Sequence, residues 1–333
     1  LLVTVDNGIS SIAGVAAALA AGMDVLVTDH HLPGAELPDA TVIVNPNLPG
    51  SKFGSRNLAG VGVAFYVLAA LGRKLESQGV AGAARVPAEY LDLVALGTVA
   101  DVVPLDQNNR VLVEQGLCRM RAGRTTAGLR ALVDQAGRRL DNLVATDLGF
   151  AVGPRLNAAG RLEDMAVGIE CLLTDDDDVA RQHASELDRI NRDRREIEAG
   201  MREQAFEYVE RLRAENLPAC VCVFDRSWHQ GVVGLVAARV RERCHRPVIA
   251  FARDRDGNLV FGTPGPESAL TESHLVHRQG WRIYATPTSD WHPEAIHNVR
   301  LFRLATSSAA VFLAGLVYSG LTNHSRLDRE VRE

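Results

Sequence analysis

The chain has 333 residues, 47% of them apolar and 23% charged, with 36 basic and 41 acidic side chains for a formal net charge of -5. At about 150 residues per domain this length predicts two domains, and the apolar share suits a chain that buries a sizeable core, so disordered and collagen-like readings are excluded. The longest apolar run, Ala309 to Tyr318, is about half of the ~20 residues a membrane-spanning helix needs, and no span is expected.

Residues 1 to about 120 alternate strands with helices. Leu1 to Asp6 reads as a buried strand at the very start of the sequence, and the expectation is that a further amino-terminal segment precedes it. Asn7-Gly8 is a turn pair, and Ser10 or Ser11 caps an alanine-rich helix reaching about Ala21. Met23 to Thr28 is the next strand, ending at Asp29-His30-His31, and Val42 to Val44 is a third, closed by Asn45-Pro46. Helices follow at about Gly60 to Gln78 and Ala88 to Gly97. Strand, helix, strand in this order implies a parallel sheet with right-handed crossovers.

Residues 126 to 175 read as small helices and loops, among them a glycine-bearing loop from Gly153 to Arg161. From Asp175 to about Glu215 the chain has no proline and a single glycine. Ala180, Ala184, Leu187, Ile197, Met201, Ala205 and Leu212 recur at helical steps, marking one long helix whose acidic start suits the dipole at its amino end. A helix of that length predicts a bridge between domains. A second α/β region follows: strand Ala219 to Phe224, helix Val232 to Glu242, and strands Pro247 to Ala252 and Leu259 to Phe261. Cys220 and Cys222 share one face of the first of these strands and read as core thiols; the five cysteines make neither a disulfide framework nor a zinc pattern.

Asp6 and Asp29-His30-His31 end two strands of one βαβ unit, the edge where open parallel sheets bind ligands. Asp101, within Gly97 to Pro104, ends another apolar stretch and joins them as a candidate. Oxygen ligands with one imidazole suit Mn²⁺ or Mg²⁺ better than a soft-metal site. Each residue taken singly is equally a turn or a loop cap; jointly they favour a metal.

These residues carry a resemblance. Val5-Asp6-Asn7-Gly8-Ile9, Asp29-His30-His31 and Gly97 to Pro104 are similar to successive motifs of the DHH phosphoesterase family. Pro154 to Arg161 and Trp228-His229-Gln230-Gly231-Val232-Val233-Gly234 extend the likeness to the family's 5′ to 3′ exonucleases specific for single-stranded DNA. It covers residues 1 to about 262. The resemblance implies an α/β fold, with a parallel-sheet DHH domain (1–125, its amino end missing), a helical linker region with a long bridging helix (126–216), the start of a smaller DHH-associated α/β domain (217–262) and a divergent tail (263–333). It also implies a metal-dependent exodeoxyribonuclease of recombination and repair that releases 5′ mononucleotides, with two divalent cations, Mn²⁺ or Mg²⁺, activating water so that no serine or cysteine nucleophile is needed.

Carried over by the resemblance, Asp6 bridges both ions and His30 and Asp101 ligate one of them. Asp29 and His31 are the catalytic pair, Asp29 orienting His30 and His31 facing the substrate phosphate. Arg155, Asn157, Arg161 and His229 hold the nucleic-acid backbone. Arg189, Arg192, Arg194 and Arg195 extend a groove or, better suited to the carboxylates between them, form a solvated ion-pair face. A cytoplasmic monomer acting on single-stranded DNA is expected, with any repair-protein partners unspecified.

Two departures set further expectations. The family's Asp-x-Asp-x-Asp-Gly motif upstream of the Asp6 strand is not in this sequence, which predicts weak metal binding and slow or no hydrolysis. After Phe261-Gly262 the family's glycine-rich segments give way to Thr263 to Ser268, and five of the ten histidines fall in the last 72 residues. That predicts a poorly packed tail that is out of frame or unrelated. Two other readings stand beside the exonuclease: a DHH phosphodiesterase for short oligonucleotides or cyclic dinucleotides, and a non-catalytic remnant that binds nucleic acid or protein.

Overall fold

A computed structural model of the chain describes residues 1–215, 217, 218, 220–253, 272–275 and 282–285. Strands β1 (Leu2–Val5), β2 (Val25–Thr28) and β3 (Val42–Val44) form a parallel sheet in the order β1-β2-β3, with Val5 level with Thr28 and Thr28 level with Val44. Central β2 buries Val25 and Val27 completely, as a strand covered on its faces must. Helix α1 (Ile12–Ala20) packs Val15 and Ala18 on them, forming the crossover. β1 is not buried as expected: it is an edge strand, and Leu2, Val3 and Val5 are substantially exposed.

Helix α2 (Gly60–Ser77) lies beside the sheet and is followed by a 3₁₀ helix, Ala83–Tyr90, and by α3 (Leu91–Ala100). The predicted helix Ala88 to Gly97 thus begins later and runs three residues further, placing Asp101 at its C-cap. Helix α4 (Gln107–Arg121) was not legible, because its first turn, Gln-Asn-Asn-Arg, is polar; its buried face starts only at Asn109 and Leu112. Asp106 caps it, accepting from the Asn109 N–H at 3.0 Å, the Ser55 hydroxyl at 2.7 Å and the Asn57 amide at 3.3 Å.

Helix α5 (Ala127–Gln135), α6 (Ala145–Asp147), a π-helical turn at Leu148–Val152, α7 (Gly153–Leu162) and α8 (Ala166–Leu173) come next. The loop expected from Gly153 to Arg161 is therefore helix, continuous with the turn before it. Its glycines and proline read as loop signals, but Pro154 sits at the junction with the π turn, where the missing N–H costs no regular helical bond.

Helix α9 (Asp177–Glu215) has 39 residues and spans about 58 Å at 1.5 Å per residue. Ala180, Ala184, Leu187 and Ile190 bury one half of its stripe; Met201, Ala205, Val209 and Leu212 bury the other. The first half packs on α5, α7 and α8, the second on β4 (Val221–His229) and α10 (Val233–Cys244). Its acidic start is a true amino terminus, with Asp177 and Asp178 in the first turn.

Strand β4 runs five residues past its predicted end, because Trp228 is buried and its indole N–H donates to Gln204 of α9 at 2.7 Å. The buried side chains of β4 are Val221, Val223 and Trp228; Cys220 and Cys222 are only half-buried, so they are not core thiols. β4 pairs with β5 (Val248–Arg253).

The chain divides into two compact units, Leu1–Ala250 and Phe251–Glu333. Within the second, β6 (Glu272–Leu275) and β7 (Arg282–Ala285) make an antiparallel pair. The predicted strand Leu259 to Phe261 and, those two strands apart, the expectation for the tail lie outside the described residues. The architecture is α/β, with α5, α7 and α8 on one side and the β4–α10 region on the other both packed on α9. Among the described residues no helix is long and apolar enough to cross a membrane.

Candidate metal centre

Parallel strands β1 and β2 deliver Asp6 and Asp29-His30-His31 to the same sheet edge. Asp6 itself turns the chain, at φ 61, a conformation that suits an Asp better than most residues but still carries strain. A Cβ at Gly60, the first residue of α2, would run into the Asp6 side chain, so only glycine lets the helix start approach the carboxylate.

His30 Nε2 lies 2.9 Å from Asp6 Oδ1 and 3.5 Å from Asp101 Oδ2. Neither approach is a hydrogen bond: the nitrogen is buried and has no hydrogen-bond partner. A buried imidazole nitrogen without a donor or acceptor, faced by two carboxylates, is the arrangement a shared cation would satisfy. Asp6, His30 and His31 each offer a ligand atom within 4.8 Å of the others. Burial raises the Asp6 carboxyl above its ordinary value, with His30 opposing the rise and Asp101 adding to it.

Asp29 is 1% exposed and satisfies every neighbour that anchors it. It accepts the Ile9 N–H at 2.9 Å, the His30 N–H at 2.7 Å, the His31 N–H at 3.0 Å and the His31 Nδ1–H at 2.7 Å. Burial alone would push this carboxyl up, but the Ile9 and His31 bonds, with that of His30, outweigh it and hold it below the ordinary range. Asp29 touches His30 only at its backbone N–H; the ring it bonds is that of His31. The same bond raises the His31 ring above the ordinary histidine value and leaves its Nε2 toward solvent.

Asn45, read only as closing a strand, and Asn47, given no role in the sequence, also matter. Asn45 Nδ2 donates to the His31 carbonyl at 2.9 Å and Asn47 Nδ2 to the His30 carbonyl at 2.6 Å, so the end of β3 fixes the backbone that carries both imidazoles. Asn-Pro-Asn directly after a strand of this sheet is the signal that marks them.

None of the four phosphate-binding candidates makes a hydrogen bond or ion pair with this cluster. Arg155 is turned into the joint between α7 and α9: its guanidinium pairs with Asp188 at 2.8 Å, both side chains nearly buried, and its Nη1 also donates to the Ala151 carbonyl. Asn157 and Arg161 are exposed on α7. Arg161 Nη1 donates to the Gly231 carbonyl at 3.2 Å, and the Gly231 N–H donates to His229 Nδ1 at 3.1 Å, which links α7 to the end of β4. A Cβ at Gly231 would collide with the Arg161 carbonyl, so backbone meets backbone there. On α9, Arg189, Arg192 and Arg194 each pair with carboxylates, Glu163 and Asp193, Asp188, and Glu198 respectively.

A parallel sheet with an Asp-His-His triplet and a facing aspartate at its carboxyl edge defines a class. Residues 1–98 match the family described as "DHH family, N-terminal domain", and the chain carries a domain of that family. Beyond that domain the likeness is narrower. The chain is 56% identical over 265 residues, 78% of its length, to "Single-stranded-DNA-specific exonuclease RecJ" of Salmonella typhimurium, of which it covers 46%. In structure it is similar to exonuclease RecJ bound to manganese, with a TM-score of 0.64, 37% identity, and coverage of 75% of this chain and 60% of that one. RecJ of Thermus thermophilus in complex with Mn²⁺ gives a TM-score of 0.65 at 32% identity, covering 92% of this chain and 44% of that one. The chain spans about half the length of the curated relatives it matches.

Proposed function

We propose that the chain carries the phosphodiesterase centre of a nuclease that degrades single-stranded DNA from its 5′ end, in recombination and repair, releasing 5′ mononucleotides. The observation that supports this is the convergence of Asp6, His30 and Asp101 on a buried imidazole nitrogen that has no hydrogen bond. Hard oxygen donors with one imidazole suit Mn²⁺ or Mg²⁺. When bound, a pair of such cations polarises the phosphoryl group and stabilises charge on the attacking and leaving oxygens.

In this reading Asp6, His30 and Asp101 hold metal, and Asp29 fixes the His31 ring so that its outward Nε2 meets the phosphate and carries a proton to it. Asn157, Arg161 and His229 hold the strand backbone. Arg155, committed to Asp188, acts through the position of α7 instead. The division near residues 125, 216 and 262 goes with the same reading, as do a cytoplasmic location and a monomeric state. Two closely spaced divalent cations need more carboxylate charge than the described residues bring together, so the chain is expected to hold the second ion weakly and to hydrolyse slowly.

The test is Mn²⁺-dependent nucleotide release from a 5′-labelled single strand, with Asp6→Ala beside the unaltered chain. Release should fall to background in the variant. Equal release from both would remove Asp6, and with it the metal centre, from the reaction.

A further inference from the structure

The helical stretch 145–162 presents an outer stripe that the metal centre does not use. Phe150 is 79% exposed although Leu148, Ala151 and Val152 around it are buried. Asn157 and Arg161, four residues apart on α7 and so on one side of it, are also exposed. Pro154 has no N–H to offer the Phe150 carbonyl four residues back, and the turn that holds Phe150 is widened to a π turn, a feature found often at working sites.

Both ends of the stripe are placed. At the first, the backbone of the π turn and of α7 closes on the last turn of α3: a Cβ at Gly149 would lie 3.1 Å from Val99 and one at Gly153 3.2 Å from Ala100. The next residue of the chain after Ala100 is Asp101, so the turn that holds Phe150 packs against the helix end that carries Asp101. At the second end Arg161 reaches Gly231, whose N–H is held by His229. Eleven residues separate Phe150 from Arg161, about 16 Å at 1.5 Å per residue.

An exposed aromatic followed along the chain by an exposed amide and guanidinium is the set of groups that holds a single nucleic-acid strand, the ring stacking on a base and the polar groups meeting the backbone. We infer that Phe150 is a stacking platform for one nucleobase of the strand next to the metal centre, with Asn157 and Arg161 holding the sugar-phosphate that follows. This rests on the proposed nuclease reading and adds to it a base contact that tolerates any sequence, since every base has a π face.

The test uses the 333-residue chain with a chelator present, so that the strand stays whole, and single-stranded oligonucleotides carrying 2-aminopurine at each position in turn. One position near the 5′ end should be quenched on binding. Phe150→Leu should abolish that quench and weaken strand affinity roughly tenfold, the effect of losing one stacked base. Phe150→Trp should keep both, and Leu173→Ala, which removes another exposed apolar side chain on α8, should change neither. An abasic site at the quenched position should weaken binding to the unaltered chain and not to Phe150→Leu. Quench and affinity unchanged in Phe150→Leu, while Asp6→Ala still stops Mn²⁺-dependent release, would overturn the platform and leave the nuclease reading standing. No strand binding and no Asp6-dependent release would overturn both.

Discussion

Asp29 shows how one side chain organises a site it does not enter. Its two oxygens take four donors from Ile9, His30 and His31, so it ties the turn after β1 to the end of β2 and sets which His31 nitrogen faces outward. Asp29→Asn keeps the shape but loses the charge and replaces acceptor capacity with N–H groups that face other N–H groups. Mn²⁺ affinity, read by calorimetry, should drop by about 10 to 100-fold, as when a partner that orients metal ligands is lost. An unchanged affinity would reduce Asp29 to a fold residue. Asp106 provides the contrast, a carboxylate with a purely structural task. Burial raises it, but its bonds from Asn109, Ser55 and Asn57 lower it more. A carboxyl held below its unfolded value stabilises the fold above that value, 3.8, and the contribution fades as pH falls through the folded value. Asp106→Ala should therefore cost about 1 kcal/mol near neutrality, the worth of an N-cap, and the gap in melting temperature between the two chains should narrow as pH falls below 3.8. A gap that persists in acid would mean that something other than the ionised cap is lost.

At the scale of elements, the joint between α7 and α9 depends on Arg155 and Asp188, whose side chains are 12% and 15% exposed. Asp188→Ala leaves the Arg155 guanidinium without its carboxylate and should cost about 3 kcal/mol or more in denaturant unfolding; Arg155→Ala should cost less, because Arg192 still lies 3.4 Å from Asp188. Arg155→Met with Asp188→Leu together should cost clearly less than the sum of the single changes. Simple addition would show that the two do not act as a pair. This joint also marks where the sequence misleads. Arg155 has the residue type and the neighbours of a phosphate ligand, and nothing in its own segment shows that Asp188, 33 residues away, will meet it. Strands β1 to β3, helix α9 and helix α10 were legible because apolar periodicity and caps are local properties. Helix α4 and the helical state of Gly153 to Leu162 were not, since a polar first turn and two glycines beside a proline imitate a loop until the neighbouring helices are in place.

For the molecule as a whole, the candidate metal centre was legible as a set of residues and not as a geometry. Strand ends at Asp6 and Asp29-His30-His31 follow from the βαβ rhythm, but the contact of His30 with Asp101, 71 positions on, is made by where α3 ends, and the clamp from Asn45 and Asn47 by how β3 closes. α9 then carries the register from one half of the first unit to the other, its apolar stripe occupied along its length, with Trp228 pinned to Gln204. The meeting of Gly231 with Arg161 is the point at which those halves touch across the chain. Because main chain abuts main chain there, no side chain serves as a shim that variation could thicken or thin. The gap separating the two walls is set by the main chain itself, and it holds only while position 231 carries nothing beyond hydrogen.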